Sequence, residues 1–219
     1  MTVSLNTINA AVQRGKEIYQ PLVPLPELLI IPEPRINFLN REIENSINRY
    51  GFKLYKGDSG TYEVVDQGNG IKYTYPRTGT FNGLRILVSP ELSPSEELFV
   101  KLHLFGHSIQ LCSEPPSTAV TEYLNTADSD EKFKAVLLNY EYEAARYGLQ
   151  LLYETRIYDL DRWFTVFVYT DHKMVDQAYT NKGIVPKFDE CLVTGQTLVL
   201  PLPIPTSMKP RLLKERIAF

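Results

Sequence analysis

Apolar residues change their rhythm along this chain, and each rhythm predicts a different element. Ile36, Leu39, Ile43 and Ile47 recur at helical spacing between polar neighbours, and Gly51 follows where a left-handed cap is wanted, so a helix is expected over 35–50. The pattern then shortens to alternating or β-branched runs, Phe52–Tyr55, Tyr62–Asp66, Ile71–Tyr75 and Leu84–Val88. Gly57-Asp58-Ser59-Gly60, Gly68-Asn69-Gly70 and Gly79-Thr80-Phe81-Asn82-Gly83 separate them, which predicts a small antiparallel sheet. Helical spacing returns at Ser93-Pro94-Ser95-Glu96, a capping box with proline at the first helical position, so the next helix starts near 94. A second long helical pattern covers 131–155, and two shorter ones are expected over Asp159–Val168 and Asp171–Tyr179.

The flanks read differently. A short helix is expected over Thr7–Tyr19, after which Pro21, Pro24, Pro26, Pro32 and Pro34 impose an extended, semi-rigid arm. Near the other end, Leu198–Pro205 alternates apolar residues with prolines that lack the donors a central strand needs. Lys209, Arg211, Lys214 and Arg216 make the ending locally basic, in the manner of a solvated tail. The predicted organisation is an arm over 1–34, an α+β core over 35–180 with the sheet packed on two long helices, and an irregular Pro-rich extension over 181–219.

Composition narrows the function classes. The chain has 219 residues, one domain with extensions, and its 23 Lys and Arg against 26 Asp and Glu give a net charge of -3, which does not call for nucleic acid or an anionic membrane. No run approaches the ~20 apolar residues of a membrane span, and Met1-Thr2-Val3-Ser4-Leu5-Asn6 lacks a signal-peptide pattern. Cys112 and Cys191 stand far apart, as ordinary thiols in a reducing compartment, so a soluble cytoplasmic protein is expected.

Of three histidines, His103 and His107 lie four residues apart in the helix that begins near 94. Residues at i and i+4 project from one helix face, so both imidazoles can reach one ion, as in H-E-x-x-H zinc hydrolases. The helix carries Leu98, Phe99, Leu102 and Phe105, hence is largely buried, and buried imidazoles need partners. Position 104 is Leu, so the glutamate that serves such enzymes as general base is missing. Trp163, Phe164, Phe167 and Tyr169, with Tyr158, read as core, and His172 as a packing or capping residue.

The order of these features resembles the ImmA/IrrE-type zinc metallopeptidases. Arg85-Ile86-Leu87-Val88, the loop Ser89–Ser93 and His103-Leu104-Phe105-Gly106-His107 are similar to that family's strand, loop and H-E-L-G-H helix. Glu141-Tyr142-Glu143-Ala144-Ala145-Arg146-Tyr147-Gly148-Leu149-Gln150-Leu151-Leu152 is similar to its second helix, E-x-x-A-N-x-F-A-x-x-L-L. The resemblance covers roughly 36–155 and implies a zincin-like minimal core with zinc on His103, His107 and Glu141. Glu141 matches the ligand glutamate because Ala144 follows three positions later; Glu143 is the alternative, about 200° around the helix and so pointing away. Leu104 in place of the base, and Ala145 in place of the usual Asn or Asp, depart from the family's pattern at positions its peptidase activity uses. The resemblance therefore implies a catalytically impaired homologue with a regulatory role, acting on a protein partner or peptide, with a helix-turn-helix regulator on a separate chain as the candidate. Two alternatives stand beside it: an active hydrolase whose base lies outside the motif, and a metal-free interaction domain whose histidines are satisfied by core hydrogen bonds.

Overall fold

The structure, a computed structural model, describes residues 29–65, 72–127, 131–180, 186–213 and 217–218. The expected helix over 7–19 and most of the Pro-rich arm lie outside these residues. The first described helix, α1 (Glu33–Arg49), opens with proline in its first turn and buries the expected stripe of Ile36, Leu39, Ile43 and Ile47. Gly51 at φ 88° turns the chain into the sheet.

The strands are β1 (Lys53–Lys56), β2 (Thr61–Val65), β3 (Lys72–Pro76), β4 (Gly79–Phe81), β5 (Arg85–Val88) and β6 (Ile217–Ala218). They do not form the single antiparallel sheet expected. β2 and β3 pair with each other as a separate hairpin, and the larger sheet runs β1-β5-β4-β6 with β1 parallel to β5, Lys53 opposite Arg85. The segment read as a turn contains β4, which is three residues long and fully buried against β5. Glycines at both its ends imitate a turn signal, but burial of Thr80 and Phe81 outweighs it.

The central element is α2 (Pro94–Cys112). Both capping-box bonds are present: the Ser93 hydroxyl accepts from the Glu96 amide, and the Glu96 carboxylate accepts from the Ser93 amide. Beyond its first turn, α2 is buried on all faces, with Leu98, Leu102, Leu104, Phe105 and Ile109 fully enclosed, because α1, the sheet and α4 (Phe133–Glu154) surround it. Each such apolar side chain contributes roughly 1.5–3 kcal/mol by burial. A helix not expected from the sequence, α3 (Thr118–Asn125), is capped by Ser117 and packs on α4.

The two short helices expected over Asp159–Val168 and Asp171–Tyr179 are one, α5 (Asp161–Thr180). Thr170 and Asp171 imitate a helix start, yet Thr170 is fully buried and its hydroxyl accepts from the Val193 amide at 3.3 Å, which keeps it inside the helix. The Pro-rich segment near 200 forms no strand, as expected. It runs along α4 and α5, where the Leu202 amide donates to the Arg146 carbonyl at 3.2 Å and the Val199 amide to the Thr165 hydroxyl at 3.1 Å.

Candidate metal centre

Backbone proximity between α2 and α4 builds the site. A Cβ at Gly106 would lie 1.9 Å from the Ala144 carbonyl oxygen, and one at Gly148 would lie 2.6 Å from the Leu102 carbonyl oxygen. Only glycine at these two positions lets the helices come so close. The close approach carries Glu141, one turn before Ala144, onto the face of α2 that holds His103 and His107.

Three atoms converge there. His103 Nε2 lies 2.8 Å from Glu141 Oε2, His107 Nε2 lies 3.0 Å from the same oxygen, and the two imidazole nitrogens are 2.9 Å apart. The histidines are 1% exposed, and the Glu141 side chain is 13% exposed. Burial, opposed by the hydrogen bond to Glu141, pushes His103 down to about 4, so its ring is neutral near pH 7. Burial would raise the Glu141 carboxyl, but its interactions with the two imidazoles, the electrostatic pull of His107 first and then the hydrogen bonds, outweigh burial and hold the group ionised, well below the usual range. A neutral imidazole and an ionised carboxylate are the donor states a metal ion requires.

The size of the triangle fits as well. Donors in a tetrahedral zinc site stand ~3.3 Å apart, given metal–nitrogen distances near 2.0–2.1 Å, so each edge needs to open by only ~0.4 Å. Among the described residues, this is the group of three His, Cys, Asp or Glu side chains whose donor atoms lie within 4.8 Å of one another.

The surroundings hold the imidazoles in place. The Phe99 ring packs 5.7 Å from His103, and Tyr140 lies 4.6 Å from His107, backed by Tyr123 of α3 stacked on it at 4.4 Å. The site is closed. Two surface cavities of about 440 and 330 Å³ are lined by other residues.

The structure sorts the sequence candidates. His103, His107 and Glu141 come together, whereas Glu143 does not join them. Glu143 does point away from the imidazoles, yet it is not a surface residue, since its carboxylate accepts from Gln110 Nε2 at 2.8 Å and from the Ser117 hydroxyl at 2.5 Å. Leu104 is fully buried, and a Cβ at Gly79 of β4 would lie 2.6 Å from its Cδ1, so position 104 faces the sheet. His172 lies 5.5 Å from the Tyr142 ring, as a packing residue would, but Glu141 also acts on it electrostatically.

Sequence reasoning missed two residues. Gln110 lies one turn beyond His107, and its Oε1 is 2.9 Å from His107 Nδ1. Its i+3 spacing was the available signal. Asp171 of α5 is half-buried, and its Oδ2, itself shielded from solvent, makes no hydrogen bond. Burial of the carboxyl, reinforced by the nearby Glu141 charge, raises it well above the ordinary range. Nothing in the sequence marks that proximity. No protein-family model, curated protein or solved structure matches the chain.

Proposed function

We propose that this chain is a divergent relative of the ImmA/IrrE-type metallopeptidases, in which a zincin-like helix pair holds zinc, peptide hydrolysis is impaired, and the role is regulatory through a partner chain or peptide. The observation that carries the reading is the convergence of His103 Nε2, His107 Nε2 and Glu141 Oε2 within 2.8–3.0 Å of one another. Zinc bound there would supply Lewis-acid charge and cross-link α2 to α4. His103 and His107 would present lone pairs, Glu141 its negative charge, and Phe99 and Tyr140 would keep water from the imidazole faces.

Impairment rests on Leu104. An apolar side chain packed on the sheet takes no proton, which forfeits the ~10²–10⁴-fold that a general base contributes. Three protein donors leave a fourth coordination position, the ligand count of a catalytic zinc site, so the impaired reading rests on the missing base and not on the ligand set. The partner that the resemblance suggests is a helix-turn-helix regulator on a separate chain.

One observation favours an active hydrolase instead: Asp171 is a half-buried carboxyl with one shielded, unbonded oxygen, close enough to Glu141 to feel its charge. A single set of measurements separates the readings. Protein purified without chelator should carry about one equivalent of zinc, lose it on His103→Ala or His107→Ala, and cleave no unfolded substrate. Zinc-dependent cleavage abolished by Asp171→Asn would replace the impaired reading with the active one. Metal-free wild-type protein that takes up no added zinc would leave the interaction domain.

A further inference from the structure

We infer that Gln110 and Glu143 are positioning residues that fix the tautomer of His107 and aim its Nε2 lone pair at the metal position, an inference that builds on the zinc reading. Gln110 is fully buried, and its amide has no rotational choice. Its nitrogen faces two groups that only accept, the Tyr140 carbonyl at 2.9 Å and the Glu143 carboxylate at 2.8 Å. Both amide hydrogens are therefore used there, and the amide oxygen is the atom left for His107. An oxygen with no hydrogen accepts, so at 2.9 Å the His107 Nδ1 donates and carries a proton.

The consequence lies on the other side of the ring. In a neutral imidazole with its proton on Nδ1, Nε2 holds only a lone pair. That lone pair faces Glu141 Oε2 at 3.0 Å, and two acceptors at this distance need a cation between them. A proton or a metal ion satisfies them, and the geometry serves either. Glu143 acts through Gln110 by holding the amide in its orientation, and the Ser117 hydroxyl at 2.5 Å holds Glu143 in turn. Ser117 also accepts from the Val120 amide at 3.2 Å as the cap of α3, so one chain of hydrogen bonds runs from the start of α3 to the imidazole.

Long-range ¹⁵N–¹H correlation spectra of the whole protein, free of metal and zinc-loaded, read the His107 tautomer directly. The expected wild-type result is a proton on Nδ1 in both states. Gln110→Leu should move the proton to Nε2 and weaken zinc binding by ~10–100-fold. The reciprocal pair Gln110→Glu with Glu143→Gln keeps an acceptor facing Nδ1 and should restore both the Nδ1 proton and at least tenfold of the affinity. An unprotonated Nδ1 in wild-type protein would overturn the inference, and that measurement requires no variant to fold. Gln110→Leu with unchanged tautomer and unchanged zinc affinity would overturn it as well. Wild-type protein with the Nδ1 proton that takes up no zinc would sink the zinc reading and leave the positioning of His107 intact.

Discussion

Gly106→Ala is the smallest change that tests how the metal centre is built. The added methyl would lie 1.9 Å from the Ala144 carbonyl oxygen, 2.5 Å from its carbonyl carbon and 2.8 Å from its Cα. All three are backbone atoms of α4, so no rotamer change relieves the clash. Ordinary contact at 3.4 Å requires the helices to part by about 1.5 Å. That displacement is large beside the 2.8–3.0 Å edges of the triad, because Gly106 stands between His103 and His107 and Ala144 one turn from Glu141. Overpacking of this kind costs ~1–3 kcal/mol, which in a domain of this length lowers the melting temperature by ~2–12 °C. Calorimetry of metal-free protein measures that cost, and zinc titration with a competing chelator should show at least a tenfold loss of affinity. Gly57→Ala is the control, since its methyl would meet only the flexible end of Leu87 at 3.3 Å and should leave both quantities nearly unchanged. Equal melting and equal zinc affinity for Gly106→Ala and wild type would refute the idea that backbone contact sets the triad geometry.

Other expectations follow from single contacts. Leu104→Glu puts a carboxylate between α2 and Gly79 of β4, so it should lower the melting temperature sharply and create no zinc-dependent cleavage; a stable, active variant would show that position 104 reaches the centre. Lys101 is 3% exposed and pairs with Glu97 at 2.6 Å, while Lys56 binds the same carboxylate at 2.6 Å. Glu97→Gln should therefore cost roughly 3 kcal/mol in chemical denaturation, because it leaves a buried ammonium with only the half-exposed Glu44 carboxylate, at 3.9 Å, as counter-charge. Burial opposes ionisation of Glu97, but hydrogen bonds from Lys101 and Lys56 outweigh it and lower the carboxyl below 4.5. The stability it contributes is full above that pH and is lost as pH falls through the depressed value, so acid denaturation curves of wild type and Glu97→Gln should converge at low pH. Chelator treatment of zinc-loaded protein should lower its melting temperature and leave Glu141→Ala unaffected, as read by thermal scans with and without metal.

Much of the helical framework was legible in the sequence. Ile36, Leu39, Ile43 and Ile47 marked α1, the capping box at Ser93 marked the start of α2, and the pattern over 131–155 marked α4, because helix periodicity and capping act over a few neighbouring residues. His103 and His107 at i and i+4 needed nothing beyond the helix itself. The parallel pairing of β1 with β5 was not legible, since it joins strands about 30 residues apart and the glycines around β4 imitate a turn. Nor was the continuity of α5, whose Thr170 is satisfied by Val193 from a distant segment. Glu141 was marked in the sequence by its place three residues before Ala144, but tertiary packing alone decided that Glu143 orients Gln110 and that Leu104 faces the sheet. Each of these depends on how closely two helices, or a helix and a strand, approach, and that distance is set by Gly106, Gly148 and Gly79 acting on partners far away in the chain.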